Sequence, residues 1–381
     1  MGAAKLQEAN GLTIYVLGGS NSLFGNGWVS HYAALKSQEV VNLSVGATTT
    51  LAGIYRLLQD GRAGRGDTVV WEYALNEVNH ARGGYSVDLL LKNVEHLICI
   101  CRRRRCRLVM AIFTPRPQEL APDRDPYYDQ LLALLDHYGI GSFDMSRAWR
   151  AAHGLPAIPA ELYADNLHYS HDPALLDFIA RGVSSVPRRV PAQVAALRTD
   201  GRRLRLLTDF AKQRFTNSIM DVPAAPLPLR IAPRQAGRII ALFMICRPNE
   251  DVGVLAQLHG PEGSSRKLRI STTIDKSFDR KILKAVSIEH ATGEAWPLAR
   301  GCEVSMRPVK APGPAHAEYQ LKRRLRQPVP SKEPIVSGVL VELDPPERPS
   351  QQPPPPPARP VPRLPLWRRA ASRMARLVRR A

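Results

Sequence analysis

The chain has 381 residues, more than one ordinary domain needs, and 44% of them are hydrophobic against 23% charged, a balance that excludes a mainly disordered chain. Fifty-three bases against 34 acids give a net charge of +19, which raises an anionic partner such as nucleic acid or a membrane surface. Eight arginines and no acid lie in residues 351–381, so only +11 is spread over the first 350 positions, and nucleic acid is not the expected partner of the main body.

The first eleven residues carry one lysine and no apolar run, and position 6 is Leu, so neither a signal-peptide core nor a myristoylation signal is read there. No window approaches the ~18 apolar residues of a spanning helix. Cys99, Cys101, Cys106, Cys246 and Cys302 are an odd number with no C-x-x-C pair and no histidine at zinc-ligand spacing. A reduced, cytoplasmic protein with no cofactor or structural metal is expected.

Up to about residue 190, short β-branched runs alternate with longer helical ones. Strands are predicted at 13–17, 40–44, 68–72, 108–113 and 142–145, and helices at 28–35, 51–59, 87–104, 127–138 and 173–182. Strand, turn and helix repeated at these lengths predict an α/β domain: a parallel sheet covered by helices on both faces. Arg102 to Arg105 end one of those helices, where positive charge complements the carbonyl end of the helix dipole, and they read as a solvated terminus rather than an RNA site.

From about residue 200 the pattern changes to short runs broken by Pro, Gly and Asn, at 203–207, 227–231, 238–245, 252–258, 268–272, 283–289, 303–307, 318–321 and 335–343. They predict an antiparallel sandwich or jelly roll over residues 200–344, with the boundary near 186–194, where Pro187 and Pro191 interrupt both patterns. Residues 345–365 hold eleven prolines and read as an extended spacer. Residues 366–381 then gather Trp367, Met374, Leu377 and Val378 on one helical face and arginines on the other. That segment fits the interface of an anionic membrane, with a disordered basic tail and nucleic-acid contact as the other readings.

The first strand runs into Gly18-Gly19-Ser20-Asn21-Ser22. In an open α/β sheet, ligands collect at the carboxyl ends of strands, and Ser20 stands at the first such end. The third glycine of a dinucleotide fingerprint is absent. A serine hydroxyl needs a base to attack a carbonyl, and Asp165-Asn166-Leu167-His168 supplies an imidazole and a carboxylate to orient it. Oxyanion donors are offered by the Gly46 amide, after the second strand, and by the Asn76 side chain, after the third. Taken singly, each of these segments also reads as an ordinary loop.

Together, the four segments resemble the SGNH hydrolase family, the GDSL-type esterases and acylhydrolases, over about residues 12–184. The resemblance implies a flavodoxin-like five-stranded parallel sheet. It also implies Ser20 as nucleophile, Asp165 and His168 as the rest of a triad, and an oxyanion hole from the Ser20 and Gly46 amides with Asn76. Two blocks depart from the family pattern: Gly19 stands where Asp usually precedes the serine, and Ala74-Leu75-Asn76-Glu77 replaces G-x-N-D. The expected activity is hydrolysis of an acyl ester, with a carbohydrate or polysaccharide acetylester as substrate by association with sandwich modules. The alternatives are O-acyl transfer to a glycan by the same serine, and a non-catalytic binding or scaffold protein that keeps the fold.

Overall fold

The computed structural model describes residues 11–121, 123–248, 253–261, 263–274, 281–310, 315–316 and 336–344. The predicted run at 318–321, the proline-rich spacer and the basic tail lie outside the described residues. The described residues all belong to one compact unit.

Five strands, β1 (Ile14–Gly18), β2 (Val40–Asn42), β3 (Thr68–Glu72), β4 (Arg107–Ile112) and β5 (Gly141–Asp144), form a wholly parallel sheet in the order β2-β1-β3-β4-β5. β1 and β3 are buried at every residue, which is why their sequences are apolar runs rather than alternating ones. In this order the chain moves to one side of β1 for β2 and to the other for β3. The crossovers diverge there and open a crevice at the carboxyl ends of β1 and β3.

The accompanying helices are α1 (Trp28–Ala34), α2 (Thr50–Asp60), α3 (Ala74–Arg82), α4 (Val87–Arg104), α5 (Arg116–Glu119), α6 (Pro126–His137), α7 (Met145–His153) and α8 (Pro173–Ser185). Alternation along β1 sorts them. Ile14 and Val16 face a core with Trp28 of α1, Trp149 of α7 and Ile179 of α8, while Tyr15 and Leu17 face a core with Ile54 of α2, Val94 of α4 and Leu131 of α6. Helices α3 and α7 were not foreseen. No side chain caps the start of α3, so the usual Ser, Thr or Asp signal is missing. In α7 the signals exist, an Asp144 cap and a left-handed Gly154 at the end, but Met145 was absorbed into the predicted strand before it.

The remaining strands are β6 (Arg203–Leu207), β7 (Gln213–Thr216), β8 (Asp221–Ala224), β9 (Leu229–Ile231), β10 (Gly237–Pro248), β11 (Gly253–His259), β12 (Ser265–Ser271), β13 (Thr273–Ile274), β14 (Ile282–Ser287), β15 (Trp296–Leu298), β16 (Glu303–Val309), β17 (Ala315–His316) and β18 (Val336–Leu343). One sheet has the order β13-β10-β18-β6, with β14 and β15 also paired to β10; the other has the order β17-β12-β11-β16-β9. Their facing residues, among them Leu242, Met244, Val254, Ile270, Val304 and Val339, form an inter-sheet core. The β7–β8 hairpin was not foreseen. The predicted strand 283–289 instead stops at Ser287, whose side chain accepts from the His290 amide and starts a one-turn helix, α9 (Ile288–Thr292), closed by a left-handed Gly293.

β10 is buried on both faces. Leu242 and Met244 enter the sandwich, whereas Phe243 and Ile245 join the core of α2 and α4. Tyr55 of α2 packs its ring on Phe243, with centroids 4.5 Å apart, and its hydroxyl lies 2.6 Å from Ser337 Oγ. One hydrophobic core therefore runs from the parallel sheet through α2 and α4 to the antiparallel sheet.

The connecting segment is fastened down along its length. The Leu108 amide donates to Arg189 O, the Ala192 amide donates to Tyr138 O, and the amides of Leu197, Arg198 and Thr199 all donate to the Glu95 carboxylate at 2.7 Å. Two members of the arginine run are also committed locally, Arg102 to Val194 O and Arg104 to Ala63 O. All five cysteines are free and buried. Among the described residues no helix is long and apolar enough to cross a membrane.

Candidate active site

At the end of β1 the chain turns through Gly18 and Gly19 into a single 3-10 turn, Ser20–Ser22. Side chains approach closely at both positions. A β-carbon on Gly18 would collide with Ser22 Oγ and lie 2.8 Å from Glu72 Oε2, and one on Gly19 would collide with Asn76 Oδ1 and lie 2.9 Å from Asn76 Cγ. The turn is held from below by Glu72, whose Oε2 accepts from the Gly19 amide at 3.0 Å and from Ser22 Oγ at 2.7 Å. Burial pushes the Glu72 carboxyl up to about 8, with those two hydrogen bonds opposing the rise.

Ser20 Oγ lies 2.7 Å from His168 Nε2, and His168 Nδ1 lies 2.7 Å from Asp165 Oδ2. The other carboxylate oxygen of Asp165 accepts from the amides of Leu167 (2.7 Å) and His168 (2.8 Å). Burial pushes the Asp165 carboxyl up, but these hydrogen bonds outweigh it and hold the group below the usual carboxylate range. An ionised Asp165 can only accept, which places the imidazole proton on Nδ1 and leaves Nε2 free to accept from Ser20.

Residues 163–169 form a narrow loop closed by the Tyr163–Tyr169 bridge and by the Ala164 amide donating to His168 O at 2.8 Å. Asn21 clamps this loop on both sides of the histidine. Its Nδ2 donates to Leu167 O and its Oδ1 accepts from the Tyr169 amide, both at 3.0 Å. Asn21 was not among the residues singled out from sequence; its position next to Ser20 was the one available signal. Phe24 adds an edge-on ring contact to His168, with centroids 5.6 Å apart.

Gly46 follows β2 in a loop tied to β1 by the Val45 amide, which donates to Gly18 O at 3.0 Å. A β-carbon at Gly46 would lie 3.5 Å from Ser20 Cβ and 3.2 Å from Leu23 Cδ1, so this loop runs directly beside the serine. Asn76 stands in the first turn of α3, mostly buried, against Gly19. Its neighbour Glu77, the departure from G-x-N-D, is fully buried and accepts from the Thr50 amide (3.0 Å), Thr50 Oγ1 (2.5 Å) and the Tyr127 hydroxyl. Glu77 thus ties the start of α3, with Asn76, to the start of α2, just after Gly46.

The structure brings Ser20, His168 and Asp165 into one hydrogen-bonded line and sets Gly46 and Asn76 on either side of the serine turn. Such a line can transfer a proton from a hydroxyl to an imidazole while nearby donors face the attacked carbonyl.

No protein-family model matches the sequence, and no curated protein matches it. Among solved structures, the chain is similar to protein YxiM from Bacillus subtilis, at 18% identity and a TM-score of 0.40, over 46% of this chain and 55% of that one. It is also similar to an acetyl xylan esterase, AlAXEase, at 16% identity and a TM-score of 0.40, over 46% of this chain and 98% of that one. A third is a member of the lipolytic G-D-S-L family from Veillonella parvula, at 14% identity and a TM-score of 0.36, over 45% and 96%. The chain thus spans little more than half the length of YxiM, and all three likenesses cover under half of this chain. By its own strand order and helix layers, the region from residue 12 to 184 has a flavodoxin-like three-layer α/β/α fold, with the Ser20, His168 and Asp165 side chains meeting at one rim of its sheet.

Proposed function

We propose that this protein is a serine esterase that deacylates a carbohydrate-borne acyl ester through an acyl-serine intermediate. The observation that carries the reading is the unbroken line Asp165–His168–Ser20, with both contacts at 2.7 Å. His168 Nε2 takes the Ser20 proton as Oγ attacks the ester carbonyl. The amides of Ser20 and Gly46 and the Asn76 side chain hold the oxyanion. As the tetrahedral centre collapses, His168 returns the proton to the departing alkoxide, leaving acyl-Ser20. Water, deprotonated by the same imidazole, then releases the acid and restores the serine.

Exposure favours water over a sugar hydroxyl as the second acceptor. The Asp165 side chain is 55% exposed and that of His168 24%, so the rim is open to solvent. An open rim also suits an ester carried on a bulky chain, which is the support for a polymeric glycan substrate. The basic segment at 366–381 is read as a tether to an anionic membrane at its cytoplasmic face; removing residues 351–381 is expected to abolish sedimentation with anionic liposomes, and unchanged sedimentation rejects the tether.

The test of the esterase reading is intact-mass detection of a fluorophosphonate adduct, mapped to one residue, alongside release of acetate from an acetylated xylan. Labelling is expected at Ser20 and is expected to vanish in His168→Ala. An adduct on a different serine, or none with a folded chain, rejects it.

A further inference from the structure

Lys284 lies in β14, between Leu283 and Ala285, whose side chains join the core shared with α2 and α4. By alternation it takes the side of Ile282 and Val286, which enter the inter-sheet core. A lysine at such a register position is unusual, and this one is fully buried. Burial of an ammonium is tolerated only where its donors are used. Here β14 packs against α2, and the Lys284 ammonium reaches the loop just before that helix. It donates to Gly46 O at 3.4 Å and to Ala47 O.

Those two carbonyls belong to the segment that carries the Gly46 amide past Ser20. Ala47 has φ +50°, a left-handed conformation that a residue with a β-carbon rarely adopts and that the surroundings must enforce. On the upstream side the loop is fixed by the Val45 amide, bonded to Gly18 O and 3.3 Å from the Tyr73 hydroxyl. Lys284 holds the downstream side. A cation beside the N-terminus of α2 opposes that helix's dipole, so helix stabilisation does not account for its placement.

We propose that Lys284 is a positioning residue for the Gly46 loop, so that the antiparallel region completes the oxyanion hole of the parallel-sheet region. The inference rests on the esterase reading above. It acts through backbone geometry: with the ammonium in place the Gly46 amide stays aimed at the developing oxyanion, and without it the loop is free to turn away.

The experiment compares full-length wild type, Lys284→Met, Lys284→Gln and Ser20→Ala, using hydrolysis of p-nitrophenyl acetate and inhibition by phenylboronic acid, which forms a tetrahedral serine adduct. For Lys284→Met, kcat is expected to fall roughly 10- to 100-fold with KM little changed, and boronate affinity to weaken by a similar factor. Lys284→Gln, shorter but still a donor, is expected to fall between, and it carries the test if the Met variant does not fold. Folded Lys284 variants with wild-type kcat, or with slowed turnover but unchanged boronate affinity, overturn the inference. Ser20→Ala separates the two questions: activity surviving that change removes the esterase reading and this inference with it. An inactive Ser20→Ala beside fully active Lys284 variants removes Lys284's role alone.

Discussion

His96 Nε2 lies 2.6 Å from Glu342 Oε1, with both side chains fully buried, joining α4 under the parallel sheet to β18 of the antiparallel one. Glu342 also accepts from Lys92 at 3.4 Å and from Arg238 Nη2 at 2.5 Å. Burial pushes its carboxyl up, but the hydrogen bond from His96 and the charges around it prevail and hold it down at about 2. Burial pushes the His96 imidazole below its ordinary value, which keeps it neutral, with Nε2 donating to Glu342.

Both groups therefore lose stability in the same direction. A carboxyl held at about 2 contributes fully above its unfolded pKa of ~4.5 and loses that contribution as pH falls toward 2, and a histidine kept neutral begins to lose its own below ~6.5. Resistance to denaturant is expected to fall as pH drops below ~4.5, where Glu342 is protonated in the unfolded chain but not in the fold. Glu342→Ala, which leaves Lys92 and Arg238 facing a buried gap, is expected to cost about 3–5 kcal/mol at pH 7 and to flatten the acid limb. An unchanged midpoint for the variant would show that the network is not what secures this junction.

At the rim, Ser20→Ala and His168→Ala are each expected to reduce kcat against an acetyl ester by about six orders of magnitude with little loss of stability. The double variant should be no worse than the singles, because the two act as one unit. Additive losses in the double variant would contradict that.

Gly19→Ala offers a sharper test of Asn76. The backbone at Gly19 is unstrained, with φ −81°, and the three atoms nearest the added methyl all belong to the Asn76 side chain. The easy accommodation is for that amide to swing aside. Thermal stability is expected to move little, while kcat falls by about 10²-fold, close to the effect of Asn76→Ala. A variant as active as wild type would show that the amide is not used.

Glu72 behaves oppositely to Glu342. A carboxyl raised to about 8 prefers the protonated form in the fold, so its contribution is complete below ~4.5 and is lost as pH rises through 8. Glu72→Gln, a neutral isostere that can still accept from the Gly19 amide and Ser22, is expected to keep wild-type stability at pH 5. It should exceed wild type at pH 9, as read by thermal unfolding at the two values.

Much of the parallel sheet was legible because its central strands, β1, β3 and most of β4, are buried on both faces and appear as unbroken apolar runs, as in Val69-Val70-Trp71. The rim residues were legible through their types and order: a serine after glycines, and a histidine three residues from an aspartate. What escaped depends on contacts distant in sequence. Asn21 looks like any turn residue until its amide is seen on both sides of His168, 146 and 148 positions away. Glu77 gave no sign of its link to Thr50, and nothing in the strand run that holds Lys284 pointed to the loop at Gly46 and Ala47. The shared core was illegible for a related reason: the apolar residues of α2 and β10 show that each must be covered, not that they cover one another.

The face of α2 that carries Tyr55 has a bearing on how this polypeptide can be cut. A fragment ending near residue 190 would leave Tyr55 without Phe243 and Ser337, and would bare the flank of α2 and α4 to water. Such a fragment should self-associate when expressed by itself, however complete its catalytic loops look in the sequence. Recombination between these halves would meet the same barrier, so the parallel-sheet segment and its β-rich companion are expected to travel through evolution as one inherited piece.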